Sequence, residues 1–109
     1  MNVNKARPAR PKGRPRKKKI VHQSPNIALF SPHGGSDVRT QISIAMEEYE
    51  ALRLYDHMGK QQKEAAEMMG ISQQSFSRIL RGARRKVSDA IVNAKSIRIG
   101  GGSYLNSTG

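Results

Sequence analysis

Five polar side chains between positions 73 and 81 have the chemistry that contacts DNA bases. They are amide, hydroxyl and guanidinium groups: Gln73, Gln74, Ser77, Arg78 and Arg81. Glutamine can bond adenine through two hydrogen bonds, arginine can bond guanine in the same way, and serine bonds bases or phosphates. On a helix these positions lie opposite an apolar stripe. The pattern therefore predicts a recognition helix that contacts bases with one face and packs with the other.

The surrounding residues have the pattern of a helix-turn-helix motif, over residues 62–81. Gly70 stands where a first helix must end in the left-handed conformation, which glycine adopts without the steric cost of a Cβ atom. Ser72 can cap the second helix by accepting a hydrogen bond from an amide two or three residues later. The inner face of the first helix is small or apolar: Ala65, Ala66 and Met69. A solvated helical hairpin with glycine at its corner is the alternative interpretation.

The recognition helix has an apolar stripe that extends past its base-contacting residues. The members of this stripe recur at helical spacing: Phe76, Ile79, Leu80, Ala83, Val87, Ala90, Ile91 and Ala94. Basic and hydroxyl side chains near the motif are candidate phosphate contacts: Lys63, Ser72, Arg84, Arg85 and Lys86. A solvated charged face is the alternative for the last three of these.

The charge of the chain favours a polyanionic partner. Its 109 residues include 20 lysines and arginines and 8 acids, for a formal net charge of +12. The candidate partners are DNA, RNA and an acidic membrane surface. The charge is uneven, because residues 43–59 hold four acids and one arginine whereas residues 60–99 hold nine bases and three acids. We therefore expect the helix of residues 44–58 to face away from DNA.

Residues 1–24 carry nine positive charges, no acid and three prolines. Such a segment cannot build a core, so we predict a disordered basic arm whose deletion leaves the thermal transition almost unchanged. Residues 12–16 resemble an AT-hook, whose arginine lies in a narrow minor groove. A plain phosphate-binding tail is the alternative. The candidate DNA contacts in the basic arm are Lys12, Arg14, Arg16 and Lys17.

The expected fold is mainly α, a three- to four-helix domain with a helix-turn-helix and a small two-stranded β element. Residues 25–43 are predicted as an extended or loop segment packed on the core, and residues 44–95 as the helix-turn-helix domain. Residues 96–109 are predicted as a short strand and a flexible tail. The β element would pair the apolar residues 27–30 with residues 97–99, which alternate between apolar and basic.

Several segments resemble a bacterial and archaeal family of small predicted DNA-binding proteins of unknown function. These segments are residues 49–54 (YEALRL), 63–71 (KEAAEMMGI), 74–80 (QSFSRIL) and 83–90 (ARRKVSDA). Members of that family typically begin with a basic Arg-Pro-rich segment followed by a Pro-x-apolar-x-x-Phe-x-Pro element, as at residues 14–17 and 25–32. The resemblance covers roughly residues 10–102. It implies a helix-turn-helix similar to region four of sigma factors (sigma-70 region 4-like), with the last helix in the major groove.

The sequence offers no candidate site for catalysis or metal binding. It has no cysteine and its three histidines are scattered, so no zinc-ligand spacing is present and no cofactor is expected. The prediction is sequence-specific binding of double-stranded DNA by a cytoplasmic, nucleoid-associated transcriptional regulator. RNA binding or association with the ribosome is the alternative. A homodimer and RNA polymerase are candidate protein partners, whereas a membrane is not, because the basic arm has no apolar face.

Overall fold

A computed structural model of the protein describes residues 18–33, 40–102 and 104–106. The helical elements are α1, Met46–Ala51, which continues as a π-helical segment, Leu52–His57; α2, Gln62–Met69; and α3, Gln73–Val92. The strands are β1, Lys19–Val21; β2, Leu29–Phe30; β3, Gln41–Ile44; β4, Ser96–Ile99; and β5, Tyr104–Asn106. The described residues thus form a small domain of three helices and a few short strands, which agrees with the expected mainly α class.

The connection between α2 and α3 follows from two local features of the sequence. Gly70 has a φ of 69° and ends α2 in the left-handed conformation. The Ser72 Oγ accepts a hydrogen bond from the Ser75 amide at 3.0 Å and caps the start of α3. The predicted glycine stop and serine cap are therefore both present.

The core lies where the three helices meet. Its buried cluster takes residues from each of them: Ala51, Leu54, Ala65, Ala66, Met69, Phe76 and Leu80. The small side chains of α2 allow a close approach by α3. The inner face predicted for α2 is confirmed, but Ile91 of the predicted α3 stripe is 74% exposed. At 100° per residue Ile91 lies well to one side of the line through Phe76, Ala83 and Ala90, so its inclusion in the stripe was wrong.

α1 buries one of the acids that give residues 43–59 their net negative charge. Glu50 is fully buried, and the Arg53 guanidinium donates to both of its carboxylate oxygens, from Nε at 2.9 Å and from Nη2 at 3.0 Å. The hydrogen bond to Glu50 is the main cause that raises the pKa of Arg53 above its usual value. The backbone amide of His22 donates to the same carboxylate at 2.9 Å. Glu50 therefore joins α1 to the segment that follows β1.

β4 is the central strand of a three-stranded sheet. β2 pairs with it antiparallel, with Leu29 opposite Arg98 and Phe30 opposite Ile97. This is the pairing that the sequence predicted for residues 27–30 and 97–99. β3 adds a parallel pairing on the other edge of β4, in which Ile44 lies opposite Ile99. β3 was not predicted from the sequence, because a parallel partner distant in the chain leaves no local turn signal.

β1 extends the domain into the segment that was predicted as a disordered arm. It pairs in parallel with β5, which lies in the predicted flexible tail. Val21 is fully buried, and the His22 Nε2 lies 2.7 Å from the carbonyl oxygen of Met68 at the end of α2. Residues 18–24 therefore belong to the folded domain rather than to the arm, because the apolar pair Ile20 and Val21 gains burial that the neighbouring lysines cannot. Residues 1–17, and with them the four candidate contacts of the arm, lie outside the described residues.

Two truncations test this boundary. Deletion of residues 1–17 is expected to leave the free energy of unfolding unchanged within about 0.5 kcal/mol, since these residues carry no apolar run. Deletion of residues 1–24 also removes the fully buried Val21, which should cost about 2 kcal/mol. Thermal unfolding followed by circular dichroism measures both. Equal transitions for the two truncated chains would contradict the assignment of β1 to the folded domain.

α3 ends at Val92, before the last residue of the predicted stripe, and the turn that follows it contains a residue in an unfavourable backbone conformation. Ala94 has a φ of 53°, which an alanine Cβ disfavours. Ala94→Gly should therefore stabilise the protein by about 1 kcal/mol. The matched control is Gly70→Ala, which should destabilise it by about 1–2 kcal/mol, because φ is 69° there and an added Cβ would lie 3.3 Å from the Ile20 Cδ1. Urea unfolding measures both variants, and a less stable Ala94→Gly protein would contradict the argument.

Candidate nucleic-acid interface

α3 presents one exposed polar line to solvent. Gln74, Arg78, Arg81 and Arg85 are all exposed and follow one another at intervals of four, three and four residues. At 100° and 1.5 Å per residue they form a row about 16 Å long. The opposite side of α3 is buried at Phe76, Leu80, Ala83 and Ala90. Three of the five predicted base-contacting residues therefore lie together on one face, and Arg85 joins them.

Gln73 and Ser77 form a second row beside this line. They are one helical turn apart, and Gln73 is exposed whereas Ser77 is half-buried. Their direction differs from that of Gln74 and Arg78 by about one residue step, close to 100°. The five predicted base-contacting residues thus divide into an outward row of three and a flanking row of two.

The Arg84 side chain contacts the π-helical continuation of α1. Its guanidinium forms two hydrogen bonds with the Asp56 carboxylate, one of them from Nε at 3.0 Å, and its Cζ lies 5.2 Å from the centre of the Tyr55 ring. The bond to Asp56 is the main cause that raises the pKa of Arg84. Arg84 was predicted as a phosphate contact, but in the structure its side chain connects α3 to the π-helical continuation of α1.

Lys86 is also paired with an acid, in this case on α1. Its Nζ lies 2.9 Å from the Glu48 Oε1, and Glu48 accepts a hydrogen bond from the backbone amide of Ala45 at the start of α1. Of the predicted cluster Arg84, Arg85 and Lys86, only Arg85 forms no ion pair with a carboxylate of the described residues. The other two side chains neutralise Asp56 and Glu48, respectively. The remaining basic residues of α3 are Arg78, Arg81 and Arg85, and all three lie on the exposed row.

The other two predicted phosphate contacts lie near the turn. Lys63 is an exposed residue of α2. Ser72 is exposed as well, but its hydroxyl takes part in the cap of α3 and lies 3.0 Å from the Ser75 Oγ. The Ser72 hydroxyl therefore stabilises the start of α3, whereas the Lys63 side chain is exposed at the surface.

A cleft of about 680 Å³ opens beside this turn. It is lined by side chains from β1, α1, α2 and α3, among them Lys19, Glu47, Glu67, Ser72, Ser75 and Arg78. The two acids and the two bases balance in formal charge, so the cleft has no excess charge for an anion. The residues that line the cleft show that β1 lies next to the first turns of α3. This proximity was not predicted from the sequence, because β1 and α3 are more than fifty residues apart.

Two other kinds of functional element are a metal site and a membrane-spanning helix. The described residues contain no group of three or more histidine, cysteine, aspartate or glutamate side chains arranged to hold a metal ion. No helix among them combines the length and the apolar composition that crossing a bilayer requires.

Comparison with known proteins identifies relatives over most of the chain. The family described as "Protein of unknown function DUF134" matches residues 6–107. A UPF0251 protein of Methanococcus maripaludis strain C7 is 43% identical over 95 residues, which cover 85% of this chain and 72% of the relative. A UPF0251 protein of Thermoanaerobacter pseudethanolicus is 45% identical over 92 residues, or 84% of this chain and 78% of the relative. No solved structure matches.

Proposed function

This chain belongs to the DUF134 family, as the resemblance predicted, and on that premise we propose that it binds duplex DNA with a preferred base sequence. In this proposal α2 and α3 form a helix-turn-helix similar to that of sigma-factor region four. α3 is the recognition helix and lies in the major groove. The protein would act as a transcriptional regulator, with RNA polymerase as a candidate partner.

The observation that carries the proposal is the exposed row of Gln74, Arg78, Arg81 and Arg85 on α3. A glutamine and two arginines at its amino-terminal end can each form paired hydrogen bonds with a base edge. Arg85, one turn further along, is placed to contact a phosphate. The buried face of α3 anchors the helix on α2, so the row is held on a rigid support.

The distribution of charge supports an orientation in which α3 faces the DNA and α1 faces away from it. Three acids of α1 and its π-helical continuation, Glu48, Glu50 and Asp56, are each paired with a lysine or an arginine. These pairs reduce the repulsion that unpaired carboxylates would exert on phosphates. The side of the domain that carries α1 nevertheless remains the less positive side. DNA is therefore expected on the α3 side, as the sequence predicted.

RNA is the second candidate ligand, since the net charge suits it equally well. Proteins that bind unpaired bases commonly stack them on exposed aromatic rings. The chain has three tyrosines and two phenylalanines, all described, and only Phe30 among them is classed as exposed. Phe76 is buried in the core and the Tyr55 ring packs edge-on against it, at a centroid distance of 6.4 Å. A single exposed ring favours duplex DNA over single-stranded RNA.

The experiment that tests the proposal is in vitro selection of the full chain on random duplex DNA, with random RNA as competitor. Salt near 0.15 M reduces unspecific attraction to phosphates. Enrichment of a short motif is the expected result, and two copies about one helical turn apart would indicate a homodimer. Absence of an enriched motif, together with stronger competition by RNA, would contradict the proposal.

A further inference from the structure

Three side chains of the exposed row on α3 have donor groups that a ligand can reach. Gln74, Arg78 and Arg81 are all exposed. Neither of these two arginines forms an ion pair with a carboxylate of the described residues, whereas Arg84 and Lys86 on the same helix are both paired with acids. The fold therefore uses the charges of Arg84 and Lys86 internally and leaves the guanidinium groups of Arg78 and Arg81 at the surface.

The three side chains leave α3 in nearly the same direction but at different heights. With Gln74 as the reference, a step of 100° per residue places Arg78 at about +40° and Arg81 at about −20° around the helix axis. A rise of about 1.5 Å per residue places them about 6 Å and 10.5 Å further along the axis. The opposite face of α3 is fixed in the core through Phe76 and Leu80. A surface that α3 lies along consequently meets the three side chains in the order of the sequence.

The major groove of B-DNA offers a different base to each kind of side chain. Arginine donates two hydrogen bonds to O6 and N7 of guanine, and glutamine forms two hydrogen bonds with N6 and N7 of adenine. Successive base pairs lie about 3.4 Å apart along the duplex, so a distance of about 10.5 Å covers about three steps. One amide and two guanidinium groups at this spacing therefore match one adenine and two guanines within about four base pairs.

We propose that the duplex preferred by α3 has one A·T pair followed by two G·C pairs within about four base pairs, contacted in that order by Gln74, Arg78 and Arg81. This inference rests on the proposed function and adds to it the base pairs and their order. Each adenine or guanine can belong to either strand, because the major groove exposes the edges of both bases of a pair. Gln73 and Ser77 point about 100° and 60° to one side of Gln74, so they are not part of this match.

In vitro selection repeated with single variants of the full chain tests the order of the contacts. Gln74→Ala should lose the preference at the A·T pair, Arg78→Ala at the first G·C pair and Arg81→Ala at the second. All three residues are exposed, so the variants are expected to fold, and circular dichroism checks this. Arg84→Ala is the matched control. It should keep all three preferences, because the Arg84 guanidinium is bound to the Asp56 carboxylate.

7-Deazaguanine in the DNA measures the arginine contacts independently. This base pairs with cytosine as guanine does, but it lacks the N7 acceptor in the major groove. At the base pair where Arg78→Ala loses its preference, it should weaken binding of the unaltered protein about 5- to 10-fold. It should leave the affinity of Arg78→Ala unchanged, because that variant no longer contacts N7. Arg81→Ala should show the same insensitivity at the second G·C pair, and fluorescence anisotropy measures all of these affinities.

The outcomes separate this inference from the proposed function. An enriched motif whose positions respond to the three variants in a different order, or which has no guanine at the positions of the two arginines, would overturn the inference. DNA recognition by α3 would remain intact in that case. An equal effect of 7-deazaguanine on the unaltered protein and on Arg78→Ala would also overturn the inference alone. Absence of any enriched motif would overturn both proposals.

Discussion

Replacing Arg78 with alanine is expected to weaken binding to the selected duplex by about 1–3 kcal/mol, or roughly 5- to 150-fold in the dissociation constant. Arg78 is an exposed residue in the second turn of α3, and its guanidinium can form paired hydrogen bonds with a guanine. The loss should be much smaller on random duplexes, because the base contact is absent there. Fluorescence anisotropy with both duplexes at fixed salt measures the difference.

Arg84 provides the matched control on the same helix. Its guanidinium is bound to the Asp56 carboxylate and lies over the Tyr55 ring, so Arg84→Ala removes a contact between helices instead of a contact to DNA. The ratio of affinities for selected and random duplexes should remain unchanged in this variant. Equal losses on both duplexes for Arg78→Ala would remove Arg78 from the base-contacting residues. A reduced ratio for Arg84→Ala would show that Arg84 leaves Asp56 when DNA binds.

Replacing Glu50 with alanine is expected to lower the free energy of unfolding by about 3–5 kcal/mol. The change leaves the Arg53 guanidinium without its bidentate partner and the His22 amide without an acceptor. Most of the cost arises because charged and polar groups remain buried after their partner is gone. Denaturation in guanidinium chloride measures the change. Circular dichroism without denaturant shows whether the variant folds at all.

Glu64→Ala is the control for this substitution. Glu64 has a side chain that is 53% exposed, and its pair with Lys60 spans 3.6 Å at the surface of α2. An exposed pair of this kind contributes only about 0–0.5 kcal/mol. A loss below about 1 kcal/mol for Glu50→Ala would contradict the view that this carboxylate holds β1 and α1 together.

The spacing of residues in the sequence indicates the ion pair of Glu50 with Arg53, whereas the charge composition of the segment does not. Glu50 and Arg53 are separated by three residues, which places them on one face of a helix. Counting charges by segment treated Glu50 only as part of the net negative charge of residues 43–59, and its burial was not predicted. The same count left Arg84 and Lys86 as candidate phosphate contacts, although acids of the neighbouring helix were available to pair with them. Which acid pairs with which base depends on how the two helices pack against each other. Residues that are close together in the sequence do not determine that packing.

The sequence by itself determined the local features that short-range physics controls. Gly70 ends α2, Ser72 caps α3, and the apolar spacing from Phe76 to Ala83 selects the buried face. Each of these depends on residues within about one or two helical turns, so the pattern is present in the chain before it folds. The exposed row of Gln74, Arg78 and Arg81 follows directly, because it lies opposite that buried face.

Only the tertiary structure decided which residues from distant parts of the chain meet. It paired β1 with β5, buried Val21 within a segment of high positive charge, and brought Lys19 to the cleft beside Arg78. It also joined Arg84 to Asp56 and left Arg85 exposed. A short strand gains its stability from a partner and a covering layer, and a surface charge acquires its role from its neighbours in space. Neither is a property of the residues nearby in sequence, so packing alone assigned these roles.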